Sequence, residues 1–592
     1  MPHTADSALS RLFQTEGWGA KARRLRAVSL PGGAALYEAG DAADEIFFVK
    51  AGRLGVTRHD GGASKFVGVI RPGEIVGEMA SISGTAHRAT VTALRDSELL
   101  AMPRDVFLAI TRRDPKVTME LARLMLERAR QGYDSSSTGQ PSVIGLLGVS
   151  GGVRVRLLAE WLAVALAELG LKAAVVGAEA KDRSSAWFSE HEGRHDLILL
   201  AAEADQREWR EVCARQSDRL FLVASPRQRP EEATKTYGLD PLRRHKLVDL
   251  LLVRPAGDGL PSQGPVWRRA LGAGQLFHLR ERDRADVARL ARMLAGRAVG
   301  LVLSGGGARA YAHLGAVKAL REAGVTFDFV GGTSMGGVVA AGLALGWDDT
   351  ELEARVREAF VDSSPLDDVA FPMLAMTHGH KVRDRMAEHF GDVEIEDLDL
   401  PFFCVSSDLT AGAAFVHTSG LVRDALRASI ALPGLLPPVT MDGRVLVDGA
   451  VIRNFPADVM AERRPGVVVG VDVTRARGLT VEQVKRPPFW PWLLSGAWKK
   501  GPPIVSVLMR SATIMSAREN EAAKLACDLY VQPDVAGVEI RDWKAYEAAA
   551  RAGYEATRRA LEAADDELKA RLGLIPTPTG ETPLPHAAAA VA

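Results

Sequence analysis

The chain has 592 residues, which at about 150 residues per domain means several folding units and not one core. Lys plus Arg and Asp plus Glu number 74 each, for a net charge of zero, so no global field holds a polyanion and no nucleic-acid partner is expected. With 47% apolar and 25% charged residues the composition is that of folded soluble protein, and the three widely spaced cysteines, Cys213, Cys404 and Cys527, form no metal-type pair. A reducing, cytoplasmic setting follows.

The Met1 end has no apolar stretch of signal-peptide length before charges intervene. Between Ala27 and Met102, short apolar runs alternate with turns at Pro31-Gly32-Gly33, Gly40-Asp41, Asp60-Gly61-Gly62 and Pro72-Gly73, which predicts an all-β unit. Helical periodicity follows over Val106–Arg130, broken at Asp114-Pro115, and closes a unit spanning residues 1–132. A polar linker leads to residues 142–256, where strand-like runs alternate with helical patterns as in a parallel α/β layer, and then to an arginine-rich connecting helix over 280–297. Residues 298–574 alternate strands and helices again, and the tail 575–592 has nothing to bury.

In the last of these units, Ala298–Leu303 reads as a buried strand that meets Ser304-Gly305-Gly306-Gly307 and then a helix beginning near Tyr311. Glycines at such a junction expose backbone N–H groups to an oxyanion or a phosphate, and Arg309 adds positive charge beside them. No Gly-Lys-Ser/Thr follows, which removes a nucleotide P-loop. Phe327–Gly331 is a second strand running into Gly332-Thr333-Ser334-Met335-Gly336 and a helix of small residues, the setting of a nucleophile elbow with Ser334 at its apex. The apolar window Phe329–Trp347 holds six glycines and is read as this chemistry, not as a membrane span. Gly148-Val149-Ser150-Gly151-Gly152 has the same pattern without a companion loop or acid, and is read as a structural turn in a degenerate Rossmann-like layer.

Ser334 needs a base. His378, His380, His389 and His417 follow it in the chain, and none lies in a strand-end turn. Asp448 does, at the end of Arg444–Asp448 before Gly449-Ala450, and a carboxylate raised toward neutrality by burial acts as a base directly. Asp442-Gly443 reads as a hairpin turn.

The order of SGGGARAYAHLG, GTSMG and DGA resembles the patatin-like phospholipases, and the similarity continues in Ala428-Ser429-Ile430-Ala431-Leu432-Pro433 and Asn454-Phe455-Pro456. The resemblance implies a Ser-Asp dyad of Ser334 and Asp448 and an oxyanion loop of Gly305, Gly306 and Gly307 with Arg309 at its end. Ala310 stands where the family has Gly, and an enzyme disabled there would leave a sensor or scaffold as the alternative function. In the first unit, Arg71–Ala80 followed by His87-Arg88-Ala89 is similar to the phosphate-binding cassette of cyclic-nucleotide-binding domains. That likeness implies Glu78 on the ribose hydroxyl and Arg88 on the cyclic phosphate of cAMP or cGMP; a roll kept only as a scaffold is the other reading. The domain order resembles bacterial relatives of neuropathy target esterase, which implies a phospholipid or lysophospholipid substrate. Phe489, Trp490 and Trp492, between Lys485-Arg486 and Lys499-Lys500, suit a peripheral contact with a membrane surface as well as they suit a loop folded over the core. Oligomeric state is not encoded in any of these patterns.

Overall fold

The structure, a computed structural model, describes residues 25–60, 63–130, 142–230, 247–257, 259, 261–361, 368–370, 374–463, 466–474, 520–539 and 542–575. The tail after Ile575, the polar linker at 131–141 and the aromatic segment with Phe489, Trp490 and Trp492 lie outside these residues. Two compact units result, one of residues up to Val253 with Trp267–Leu276, the other of Arg254–Val266 and the chain from Phe277 on.

The first unit begins with a β-roll. Its strands are β1 (Arg26–Leu30), β2 (Ala35–Tyr37), β3 (Glu45–Asp60), β4 (Ala63–Ile70), β5 (Ile75–Val76) and β6 (Thr90–Pro103), antiparallel in the order β1-β6-β3-β4 with β2 on β6 and β5 on β3. Burial along much of β6 alternates residue by residue, as a strand with one face on a core must. Helices Arg104–Thr111 and Pro115–Arg130 follow, separated at Asp114-Pro115 as the sequence requires. The α/β layer contributes β7 (Val143–Gly148), β8 (Ala173–Val176), β9 (Leu197–Ala202), β10 (Arg219–Ala224) and β11 (Leu247–Arg254), parallel in the order β11-β10-β7-β9-β8. β7 and β9 are buried throughout, which is why they read as unbroken apolar runs. Roll and layer meet at a buried ion cluster: Arg53 donates to Glu192 at 2.5 Å and to Asp218 at 2.8 Å, and Arg95 donates to Glu192. Two arginines desolvated together are tolerated because each has a carboxylate within reach.

In the second unit an eight-stranded sheet is built from β13 (Ala298–Leu303), β14 (Phe329–Thr333), β15 (Phe402–Asp408), β16 (Ala413–His417), β17 (Val439–Met441), β18 (Arg444–Asp448), β19 (Gly466–Val471) and β20 (Leu529–Val531). Its order is β17-β18-β15-β14-β13-β19-β20, with β16 paired to β15. The central strands β19, β13, β14 and β15 are parallel, so the loops after β13 and β14 emerge side by side at one end of the sheet. That carboxyl end is where open α/β sheets build sites. Asp442 (φ 50°) and Gly443 (φ 73°) form the expected two-residue turn between β17 and β18.

The connecting helix differs from its expected span. It runs over Arg284–Leu294, because Asp283 caps it by accepting from the Asp286 N–H, and Leu276–Arg280 (β12) is a strand where the helix was expected to start. Before that strand the chain forms a further helix, Gly264–Leu271.

Candidate active site

β14 ends at Thr333 and the chain turns at once into helix Met335–Ala344. Between them Ser334 has φ 54° and ψ −129°, a backbone that costs a non-glycine residue on the order of 1–3 kcal/mol. The turn can be this tight because its flanking glycines lack side chains: a Cβ on Gly332 would lie 2.5 Å from Leu303 O, and one on Gly336 would lie 2.4 Å from both Leu303 O and Ser304 O. Ser429 clamps it. The Ser334 N–H donates to Ser429 Oγ at 2.8 Å, and that hydroxyl donates to Val405 O at 2.7 Å.

Asp448 arrives by strand register. β14 pairs with β15 so that Thr333 faces Val405, and β15 pairs with β18 so that Ser406 faces Asp448, which sets the end of β18 beside the elbow. Ser334 Oγ donates to Asp448 Oδ2 at 2.7 Å, and the Ala450 N–H donates to Oδ1 at 2.8 Å. The carboxyl is wholly buried. Burial outweighs the two hydrogen bonds that favour its anion and pushes it up from 3.8 to about 7. Gly449 is required here, since a Cβ would stand 2.3 Å from Val405 O, whereas Ala450 is only half-buried and tolerates its methyl group.

The glycine loop follows β13. Gly305 donates its N–H to Asn454 O at 3.2 Å and accepts from Asn454 Nδ2 at 3.1 Å. The N–H groups of Gly306 and Gly307 donate to no acceptor among the described residues. Arg309 Nε donates to Val538 O at 2.8 Å, so this side chain ties the loop to the segment after β20. The group of four expected from sequence is therefore divided: two loop amides without an acceptor among the described residues, one amide held by Asn454, and one tether. Ala310 has φ −64° and ψ −10°, ordinary helical backbone, so replacing glycine there demands no left-handed conformation.

No histidine is bonded to the pair among the described residues. His417 Nε2 lies 2.7 Å from Ser406 Oγ, and burial lowers its ring to about 4. His313 Nε2 meets Ser304 O at 2.8 Å from the helix behind the loop, and burial likewise brings it to about 4. His378 and His380 stack on each other, and His389 lies in the last turn of helix His380–Phe390.

The second Gly-x-Ser-x-Gly loop is built differently. Ser150 is absent from the residues with positive φ, and its Oγ accepts from the Ser225 N–H at 2.8 Å. The start of the following helix is taken up by Glu203, which accepts from the Val155 and Arg156 N–H groups at 3.0 and 2.9 Å where a phosphate would otherwise dock. In the roll, Glu78 is buried at the start of helix Glu78–Ser83, behind Gly77 at φ 92°. Arg88 is exposed in the turn before β6 and makes no ion pair among the described residues. Sequence reasoning assigned no role to Ser429 or Asn454; the similarity of their short motifs was the available signal.

Residues 301–461 match the family of patatin-like phospholipases, and residues 27–114 match the cyclic nucleotide-binding domain. A strained serine bonded to a buried aspartate beside a glycine loop is thus carried on the scaffold of a lipid hydrolase. An uncharacterized NTE family protein of Mycobacterium tuberculosis is 32% identical over 90% of this chain and 91% of its own length. Patatin-like phospholipase domain-containing protein 7 of Mus musculus is 29% identical over 90% of this chain, and neuropathy target esterase sws of Drosophila melanogaster is 28% identical over 86%. The match covers 45% and 40% of those two animal proteins. The chain belongs to the NTE family. Among the described residues no helix is long and apolar enough to cross a membrane.

Proposed function

We propose that the chain hydrolyses acyl esters of phospholipids or lysophospholipids through an acyl-enzyme on Ser334, with Asp448 as the base. The observation that carries this reading is the 2.7 Å hydrogen bond between a strained, buried serine and a carboxyl held near neutrality. A carboxylate of that basicity takes the Ser334 proton as Oγ attacks the ester carbonyl and returns it to the leaving alcohol. Charge developing on the carbonyl oxygen is met by the Gly306 and Gly307 N–H groups, which have no other acceptor among the described residues. A fluorophosphonate probe tests the reading: adduct mass on a peptide containing Ser334, lost in Ser334→Ala and unaffected in Ser150→Ala, is expected. Labelling of Ser150, or of neither serine, overturns it.

For the roll, the arrangement supports a cyclic nucleotide as effector, cAMP or cGMP. Glu78 at the head of a short helix suits a ribose hydroxyl, and the guanidinium of Arg88, without an ion pair among the described residues, suits a cyclic phosphate. Arg88→Ala is expected to weaken binding by about 2–5 kcal/mol, since a phosphate bound without its cation stays uncompensated. Titration calorimetry reads this directly. No heat from the parent chain with either nucleotide at millimolar concentration would leave the roll a scaffold.

A further inference from the structure

The polar atom nearest the nucleophile that the dyad does not explain is Asn454 Oδ1. Asn454 is 7% exposed, and this oxygen is buried without a hydrogen-bond partner among the described residues. Its orientation is not a matter of choice: Nδ2 donates to Gly305 O at 3.1 Å, and turning the amide over would set two oxygens against each other. The oxygen lies beside the nucleophilic residue. A Cβ on Gly305 would lie 2.4 Å from Asn454 Oδ1 and 3.1 Å from the Ser334 Cβ, so the amide oxygen is no farther than the sum of these distances from the nucleophilic residue. Gly305 does not have a positive φ, so its conformation alone does not call for glycine. A side chain there would collide with the amide oxygen. A buried acceptor without a donor costs on the order of 1–3 kcal/mol and needs a compensating use.

We infer that Asn454 Oδ1 holds one hydrogen of the water that hydrolyses acyl-Ser334. The inference rests on the acyl-enzyme reading above. In that step the water oxygen forms a bond to the acyl carbon and gives one proton to Asp448. The bond from that carbon to Ser334 Oγ then breaks, Oγ takes the proton from Asp448, and the fatty acid leaves. One water hydrogen is consumed by the base. The other stays on the attacking oxygen throughout and needs an acceptor in a buried site, and Asn454 Oδ1 is placed to be that acceptor. Acylation makes no such demand, because the Ser334 hydroxyl has a single hydrogen and Asp448 already receives it.

Methanol separates the two cases, since it also has a single hydroxyl hydrogen and requires only the base. With a soluble chromogenic ester and added methanol, the full chain partitions its acyl-enzyme between fatty acid and methyl ester. Asn454→Ala is expected to raise the ratio of methyl ester to acid by about tenfold, the scale of one hydrogen bond. In methanol-free buffer the variant should also accumulate acyl-enzyme, read as added mass on Ser334. The ratio does not depend on how much of the variant folds, so a poorly folding protein still gives an answer. An unchanged ratio with both rates lowered would reduce Asn454 to a brace for the glycine loop. A change confined to KM for glycerol esters bearing a free hydroxyl would assign the oxygen to substrate, and either outcome overturns the inference. Absence of both methyl ester and acyl-enzyme in the parent chain would instead defeat the serine-nucleophile reading beneath it.

Discussion

Ser334→Ala is expected to lower ester hydrolysis by about a thousandfold to a millionfold, the range seen when a nucleophile is removed and binding is left intact. Substrate is still gathered and its carbonyl still meets the loop amides, but no covalent intermediate forms, which is why the residual rate stays above that in water. The fold should survive, because alanine meets the same backbone strain at φ 54° and keeps the N–H bond to Ser429. Asp448 loses one of the two donors that favour its anion and is expected to rise further above about 7. Ser150→Ala is the matched control, since Ser150 Oγ accepts from the Ser225 N–H and donates to no carboxylate among the described residues. Rates with a lysophospholipid and with a soluble chromogenic ester check both; turnover retained in the Ser334 variant would remove the proposed nucleophile.

The elements that carry this chemistry were legible because close packing restricts their sequence. Gly332 and Gly336 are glycine since main-chain carbonyls stand where a Cβ would be, and Asp448 must be followed by glycine for the same reason. Such constraints are local and leave a short motif. Ser429 and Asn454 act through contacts spanning 95 and 149 residues of chain, and Ser429 reaches the elbow from the end of helix Val422–Ser429, where its hydroxyl is held by Val405 O of β15. No periodicity encodes that. The division of labour in the glycine loop was likewise hidden, because consecutive glycines look alike until their N–H groups are given partners: Asn454 for Gly305, and none among the described residues for Gly306 and Gly307. β12 was missed because LFHLR is only five residues long and stands in a charged stretch, where a helical pattern competes equally well.

Asp448→Asn is expected to abolish hydrolysis as fully as Ser334→Ala, while His378, His380, His389 and His417 variants that fold retain most of it. Asparagine can still accept the Ala450 N–H on its one oxygen and turn its NH2 toward Ser334 Oγ, but it cannot take a proton, so the packing persists and the base is lost. The pH dependence follows from the same group. Hydrolysis needs the ionised carboxylate, whose value is about 7; kcat/KM should therefore fall tenfold per pH unit below about 7 and level off above it. A histidine such as His417, held near 4 by burial and bonded to Ser406, would instead place the fall near pH 4. Stability runs the other way. Between 3.8 and about 7 the unfolded chain has released the Asp448 proton while the folded chain retains it, so the folded state binds more protons and its stability declines as pH rises through that window. At about 1.4 kcal/mol per unit the whole decline is on the order of 4 kcal/mol. Asparagine carries no such penalty, so Asp448→Asn should unfold at a higher temperature than the parent chain at pH 8 and close to the same temperature at pH 4. An inactive variant stabilised only at high pH would identify the buried carboxyl as both the base and a load on the fold; equal melting curves at both pH values would mean that Asp448 ionises without cost and that its basicity has another source.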